Sequence, residues 1–139
     1  MHSEHLRNVQ FSWVAFGWFV ALAVTSSLVM VLSAAGLLYE TGVAETAGVA
    51  GAVTVGWAVG GFITGFKTAS APILHGAAMA GFTFVVWFLL NLTLGGLTTG
   101  TTAWEHVPVR TAALALLVQG AAAIAGCWLG YRYAPVRVE

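Results

Sequence analysis

His75 is the one titratable side chain inside an otherwise uncharged apolar run, and an imidazole there could ligate the metal of a haem or a chlorophyll-type pigment. A bis-histidine haem would need a second imidazole at similar depth, and only His2 or His5 in the N-terminal tail could supply it. The simpler reading is an interfacial histidine hydrogen-bonded to a neighbouring helix or a headgroup. Glu105 beside His106, with Glu40 and Glu45, offers carboxylate and imidazole ligands for a loop metal site, yet adjacent ligands on a loop arise readily by chance and no metal is expected. Asn91 and Gln119 are amides in apolar runs that can hydrogen-bond across a helical hairpin, or line a shallow polar vestibule. Thr25, Ser26, Ser27, Thr54 and Thr83 supply hydroxyls without an acid or base partner, which disfavours catalysis. Cys127 stands alone, so no disulfide framework or zinc knuckle can form.

The elements that must position these residues follow from composition. With 59% hydrophobic and 7% charged residues among 139, and a mean hydropathy of +0.88, the chain is too apolar for one small water-soluble domain. Its net charge of zero gives no electrostatic footprint for nucleic acid. Charge-free runs over 11–34, 46–66, 72–95 and 111–131 are each long enough to cross a hydrocarbon core of about 30 Å as a helix. The expected fold is all-α, an integral membrane four-helix bundle spanning 11–131 between tails at 1–10 and 132–139. Arg7, Lys67, Arg132 and Arg137 fall on one side and only Arg110 on the other, so both termini are expected to be cytoplasmic. No Asp, Glu, Lys or Arg lies within a span, which argues against a carboxylate-driven antiporter.

Small residues recur where such helices would touch. Gly48, Ala52, Gly56, Gly60 and Thr64 run at four-residue spacing, Gly61 with Gly65 makes a parallel row, and Gly76, Gly81, Gly126 and Gly130 extend the pattern to the third and fourth spans. In lipid, close backbone approach through such faces carries much of the packing energy. Trp18, Trp57, Phe62, Phe84, Trp87, Phe88 and Trp128 are then expected to face lipid or a partner. An offset of 65 lays Gly61-Phe62-Ile63-Thr64-Gly65-Phe66-Lys67 over Gly126-Cys127-Trp128-Leu129-Gly130-Tyr131-Arg132 and matches Thr46 with Thr111, Ala50 with Ala115 and Val53 with Val118. Either a helical hairpin has been duplicated or interface chemistry has converged.

The stretch GGFITGFKTASAPILHGAAMAGFTFVVWFLL, with AAAIAGCWLGYR near the end, resembles the YrzE-type small four-helix membrane proteins of bacteria. The shared positions are Gly60, Gly61, Gly65, Lys67, His75, Gly76, Gly81, Gly126 and Gly130. The resemblance implies four helices in a bacterial cytoplasmic membrane and brings no established activity with it. The Ala71-x-x-x-His75 spacing separately resembles antenna pigment sites.

Packing chemistry without reaction chemistry leads to a non-enzymatic subunit that assembles with itself or with a larger membrane complex, such as a respiratory or photosynthetic one. A small uncoupled transporter or channel lined by Ser, Thr, Asn91 and Gln119 is the alternative. A haem- or pigment-binding subunit through His75 is the third reading.

Overall fold

The computed structural model describes residues 9–38, 42–97 and 109–134. Four helices account for 90% of them, with no strand among the described residues. They are α1 (Phe11–Ala34), α2 (Val43–Thr68), α3 (Pro72–Leu97) and α4 (Val109–Tyr133). All four are long and apolar enough to cross a membrane, which marks a membrane protein. Helices α2 and α4 run a little beyond the charge-free stretches that foretold them. Glu45 in the first turn of α2 and Lys67 and Arg132 in the last turns of α2 and α4 have the signs that helix dipoles favour, so charge marks these ends without breaking them.

Helix α2 is the hub, packed on both α4 and α1, while α3 packs chiefly on α4. The α2–α4 contact is one of backbone on backbone. A Cβ on Gly61 would collide with the carbonyl of Ala123, and one on Gly126 with the carbonyl of Ala58. Likewise Gly65 lies against Cys127 and Gly130 against Phe62. Partners advance together along both chains, so α2 and α4 are parallel. Each contact maps onto its mate under the 65-residue offset, with 61 becoming 126 and 58 becoming 123. Two hydrogen bonds that tie α1 and the residue before it to α3 join residues that are themselves 65 apart, Gln10 with His75 and Trp18 with Thr83.

The α1–α2 contact is antiparallel and equally close. Gly17 sits against Thr64 and Gly60, and Gly56 against Ala21 and Thr25. Gly76 meets the backbone of Ile124, bringing α3 onto α4. Gly48 has only the side chains of Leu38 and Leu32 nearby, and Gly81 belongs to no helix contact, since a Cβ there would meet nothing within 4 Å. A four-residue row of small residues shows that an approach is possible, and only the neighbour's position decides whether it occurs.

Trp18 and Trp57 correct an expectation, since both are buried in the core with Val14, Ala21, Met79, Ala123 and Cys127. Bare faces that bring backbones together leave volume beside them, and the largest side chains fill it. Trp18 also gains a partner for its indole, which donates to Thr83 Oγ1 at 3.0 Å, and an edge-to-face contact with Phe82 at 5.2 Å between ring centres. Phe62, Phe84, Phe88 and Trp128 are exposed on the perimeter.

Burial is concentrated at one end. Among the described residues the buried positions of α1 end at Ala21, those of α2 begin at Ala52, those of α3 end at Met79, and those of α4 begin at Ala122. The half that carries the α2–α3 connection is therefore closed, and the half that carries the α1–α2 connection is open.

Candidate functional site

The closed end is locked by polar groups as well as by glycine. His75 is fully buried, one turn into α3. Its Nδ1 pairs with Ala71 O at 2.9 Å, which makes Nδ1 the protonated nitrogen, and its Nε2 accepts the backbone N–H of Gln10 at 3.1 Å. The ring thus ties the entry of α1 to the first turn of α3. Both nitrogens are engaged, so a haem or pigment metal would have to displace the Gln10 hydrogen bond to reach one. His2, His5 and the Glu40, Glu105 and His106 positions lie outside the described residues.

The connection that sets His75 in place is bent at two alanines. Ala69 (φ 47°) caps α2 in the left-handed region and donates its N–H to Gly65 O, and Ala71 (φ 38°) follows two residues on. Left-handed geometry at a residue with a Cβ costs about 1–2 kcal/mol. In return the Ala71 carbonyl is turned to accept both the backbone N–H and the ring N–H of His75.

Thr64 is a buried residue that sequence reasoning did not single out beyond its place in the small-residue row. Its Oγ1 donates to Gly60 O at 3.0 Å, with Trp13 O at 3.3 Å and Met79 Sδ at 3.8 Å also within reach. One hydroxyl therefore touches α1, α2 and α3. The self-satisfying geometry expected for helical hydroxyls also recurs at Ser27, Thr54 and Thr83, which donate to Ala23, Ala50 and Met79 carbonyls.

The open end holds the cavities. A cleft of about 600 Å³ separates the outer parts of α2 and α4 and is lined by Glu45, Thr46, Val49, Ala50, Val53, Thr111, Leu114, Ala115, Val118 and Gln119. Four of these pairs, 46 with 111, 49 with 114, 50 with 115 and 53 with 118, are again related by the 65-residue offset. The walls are equivalent stretches of two parallel helices that touch at Gly61 and Gly126 and diverge beyond. A second cavity of about 230 Å³ opens between α3 and α4, lined by Thr83, Phe84, Trp87 and again Thr111, Ala115 and Gln119.

Gln119 belongs to both cavities, and its Oε1 is buried without a hydrogen-bond partner. An unsatisfied buried acceptor costs about 1–3 kcal/mol. The expected partner, the side chain of Asn91, lies outside the described residues, although its backbone is part of α3. Thr25 Oγ1 is also buried and unpartnered, but it is pressed against Gly56 between α1 and α2, where there is no room for a ligand.

Glu45 brings a carboxylate to the mouth of the cleft, and the Thr46 hydroxyl spends its proton on Gly42 O at 3.1 Å, leaving lone pairs free. The walls between mouth and floor are aliphatic. Such a cavity can hold an apolar body and orient it through a few polar points. No family profile, curated protein or solved structure matches this chain.

Proposed function

We propose that the chain is a non-enzymatic, multi-pass protein of the bacterial cytoplasmic membrane, built from a duplicated helical hairpin. In this reading both termini are cytoplasmic, the closed end faces the cytoplasm, and the cleft opens outward as the binding site of a small uncoupled transporter. Lys67 and Arg132 at the closed end against Arg110 at the open end support the orientation. Reciprocal contacts between α2 and α4 support the duplication, with an axis along the membrane normal. Transporters built from such repeats hold substrate where the repeats meet, open on one side and shut on the other.

The observation that carries this reading is the cleft between equivalent helices, closed at one end and lined by offset-related residues with Gln119 in its wall. Solute flux into liposomes containing the purified chain tests it. Flux that falls to the level of empty liposomes when Ala115→Phe fills the cleft is the expected result, and flux indifferent to that change would overturn it.

An accessory subunit of a homo- or hetero-oligomeric complex is the second reading, favoured by the outward face of α3. Phe84 and Phe88 stack there with ring centres 6.4 Å apart, both nearly half exposed. Native mass spectrometry of the protein extracted gently from its own membrane separates the two, because a stoichiometric larger particle belongs to this reading only.

A further inference from the structure

We infer that the smaller cavity, between α3 and α4, is a second binding site and takes a neutral, planar, two-ring compound that carries a carbonyl. The inference does not depend on transport through the α2–α4 cleft. Helices α3 and α4 meet at Gly76 against Ile124 and at Ala80 against Gly120, where a Cβ on the glycine would stand 3.4 Å from that of the alanine. One turn further along α3 they part, and the space of about 230 Å³ begins there, at Thr83. An apolar cavity of about 150 Å³ holds a benzene ring, so this one has room for two fused rings.

The walls choose the chemistry of the occupant. Helix α3 lines the cavity with the rings of Phe84 and Trp87, three residues apart, whereas α2 lines the larger cleft with valine, alanine, threonine and Glu45. Aromatic walls favour a flat π-system over an aliphatic chain. Among the described residues no charged side chain lines the cavity, so an ionic occupant would lose its hydration without gaining a counter-charge. The polar groups differ in what they have left to give. Thr83 Oγ1 already donates to Met79 O at 3.2 Å and receives the Trp18 indole at 3.0 Å. Gln119 is partly buried, with its Oε1 out of reach, but its Nε2 is neither buried nor hydrogen-bonded among the described residues. The amide therefore offers an occupant a donor, and a donor in an apolar wall selects an acceptor. A ring carbonyl supplies that acceptor without adding charge.

Three probes dissect the site in phosphatidylcholine nanodiscs, titrated by calorimetry against the full chain with protein-free discs as the baseline for partitioning. In 2,3-dimethyl-1,4-naphthoquinone the rings are flat, the carbonyls are present, and methyl groups block addition of the Cys127 thiol. Its companion 2,3-dimethylnaphthalene keeps the rings and lacks the oxygens, and 1-decalone keeps a carbonyl on saturated rings. The quinone is expected to bind roughly three- to tenfold more tightly than either. Gln119→Leu should erase its advantage over the hydrocarbon. Ala112→Phe, which fills this cavity, should abolish its binding, and Val49→Phe, in the wall of the larger cleft alone, should leave it unchanged. A quinone that binds no better than the other two overturns the ligand class without needing any variant to fold. Binding that survives Ala112→Phe and is lost in Val49→Phe overturns the location. Binding of all three equal to that of protein-free discs overturns the cavity as a site and leaves the flux test of the cleft standing.

Discussion

Replacing Gly61 by alanine tests the contact on which the whole arrangement turns. The added methyl would meet the Ala123 carbonyl and approach the carbonyl carbon and Cα of the same residue to 3.1 Å, all of them backbone. No rotamer change relieves such a clash, so α2 and α4 must separate by a fraction of an ångström to about one ångström. A gap of 0.5–1 Å forfeits roughly a quarter to a half of each dispersion contact it opens, and overpacking of this kind costs about 1–3 kcal/mol. Because Gly126 stands in the same relation to Ala58, Gly126→Ala should cost the same within about 0.5 kcal/mol. The double variant should cost less than the sum, since a helix pair already pushed apart has room for the second methyl. Gly81→Ala is the control. It meets nothing within 4 Å and should be neutral or stabilising by up to about 1 kcal/mol through helix propensity. Unfolding in mixed detergent micelles, followed by the fluorescence of the buried Trp18 and Trp57, measures all four. If Gly61→Ala and Gly126→Ala are as mild as Gly81→Ala, or differ from each other by 2 kcal/mol or more on the scale of overpacking costs, the reciprocal packing is wrong.

The remaining expectations are smaller and independent. Gln119→Leu should stabilise the protein by about 1–3 kcal/mol in the same unfolding assay, because it removes a buried acceptor that has no partner; destabilisation would mean that the oxygen is satisfied in the membrane. His75→Leu should cost about 1–3 kcal/mol and speed hydrogen exchange at the Gln10 amide, and an unchanged exchange rate would remove the tie between α1 and α3. Ala69→Gly should stabilise by about 1 kcal/mol, read from the same detergent titration, since glycine takes the left-handed cap without strain.

Apolar run length made the four helices legible in the sequence, and the structure keeps all four spans, lengthening three of them by a few residues at the ends. The offset of 65 was legible too, as matched letters, but letters alone could not separate common descent from a shared need for small residues. Contact reciprocity adds which residue faces which, a relation that matched letters do not state. Less was readable of orientation about each helix axis. Trp18 and Trp57 have the composition of lipid-facing residues and are buried, since in a helix that is apolar all round no polar stripe marks the outward face. Gly81 failed as a packing residue for the same reason. The cleft was out of reach because it depends on where two helices part, and small residues stand opposite one another both where α2 and α4 touch and where they diverge.

In the proposed reading a duplicated scaffold makes a symmetric cavity almost without further design, and a symmetric cavity lined by valine, leucine and alanine would suit nothing but hydrocarbon. Selectivity must enter through positions where the copies differ. At the closed end the differences are volumetric, with Trp57 answered by Ala122 in the core and exposed Phe62 answered by buried Cys127. Around the cleft they are polar, with Glu45 answered by Arg110 and Gln119 by Thr54. Core-filling differences relieve strain and lower the free energy of the fold, whereas the Gln119 oxygen raises it by standing unpartnered in an apolar wall. A polar group that costs stability where leucine would fit is one whose worth lies in a contact made with something other than the protein itself.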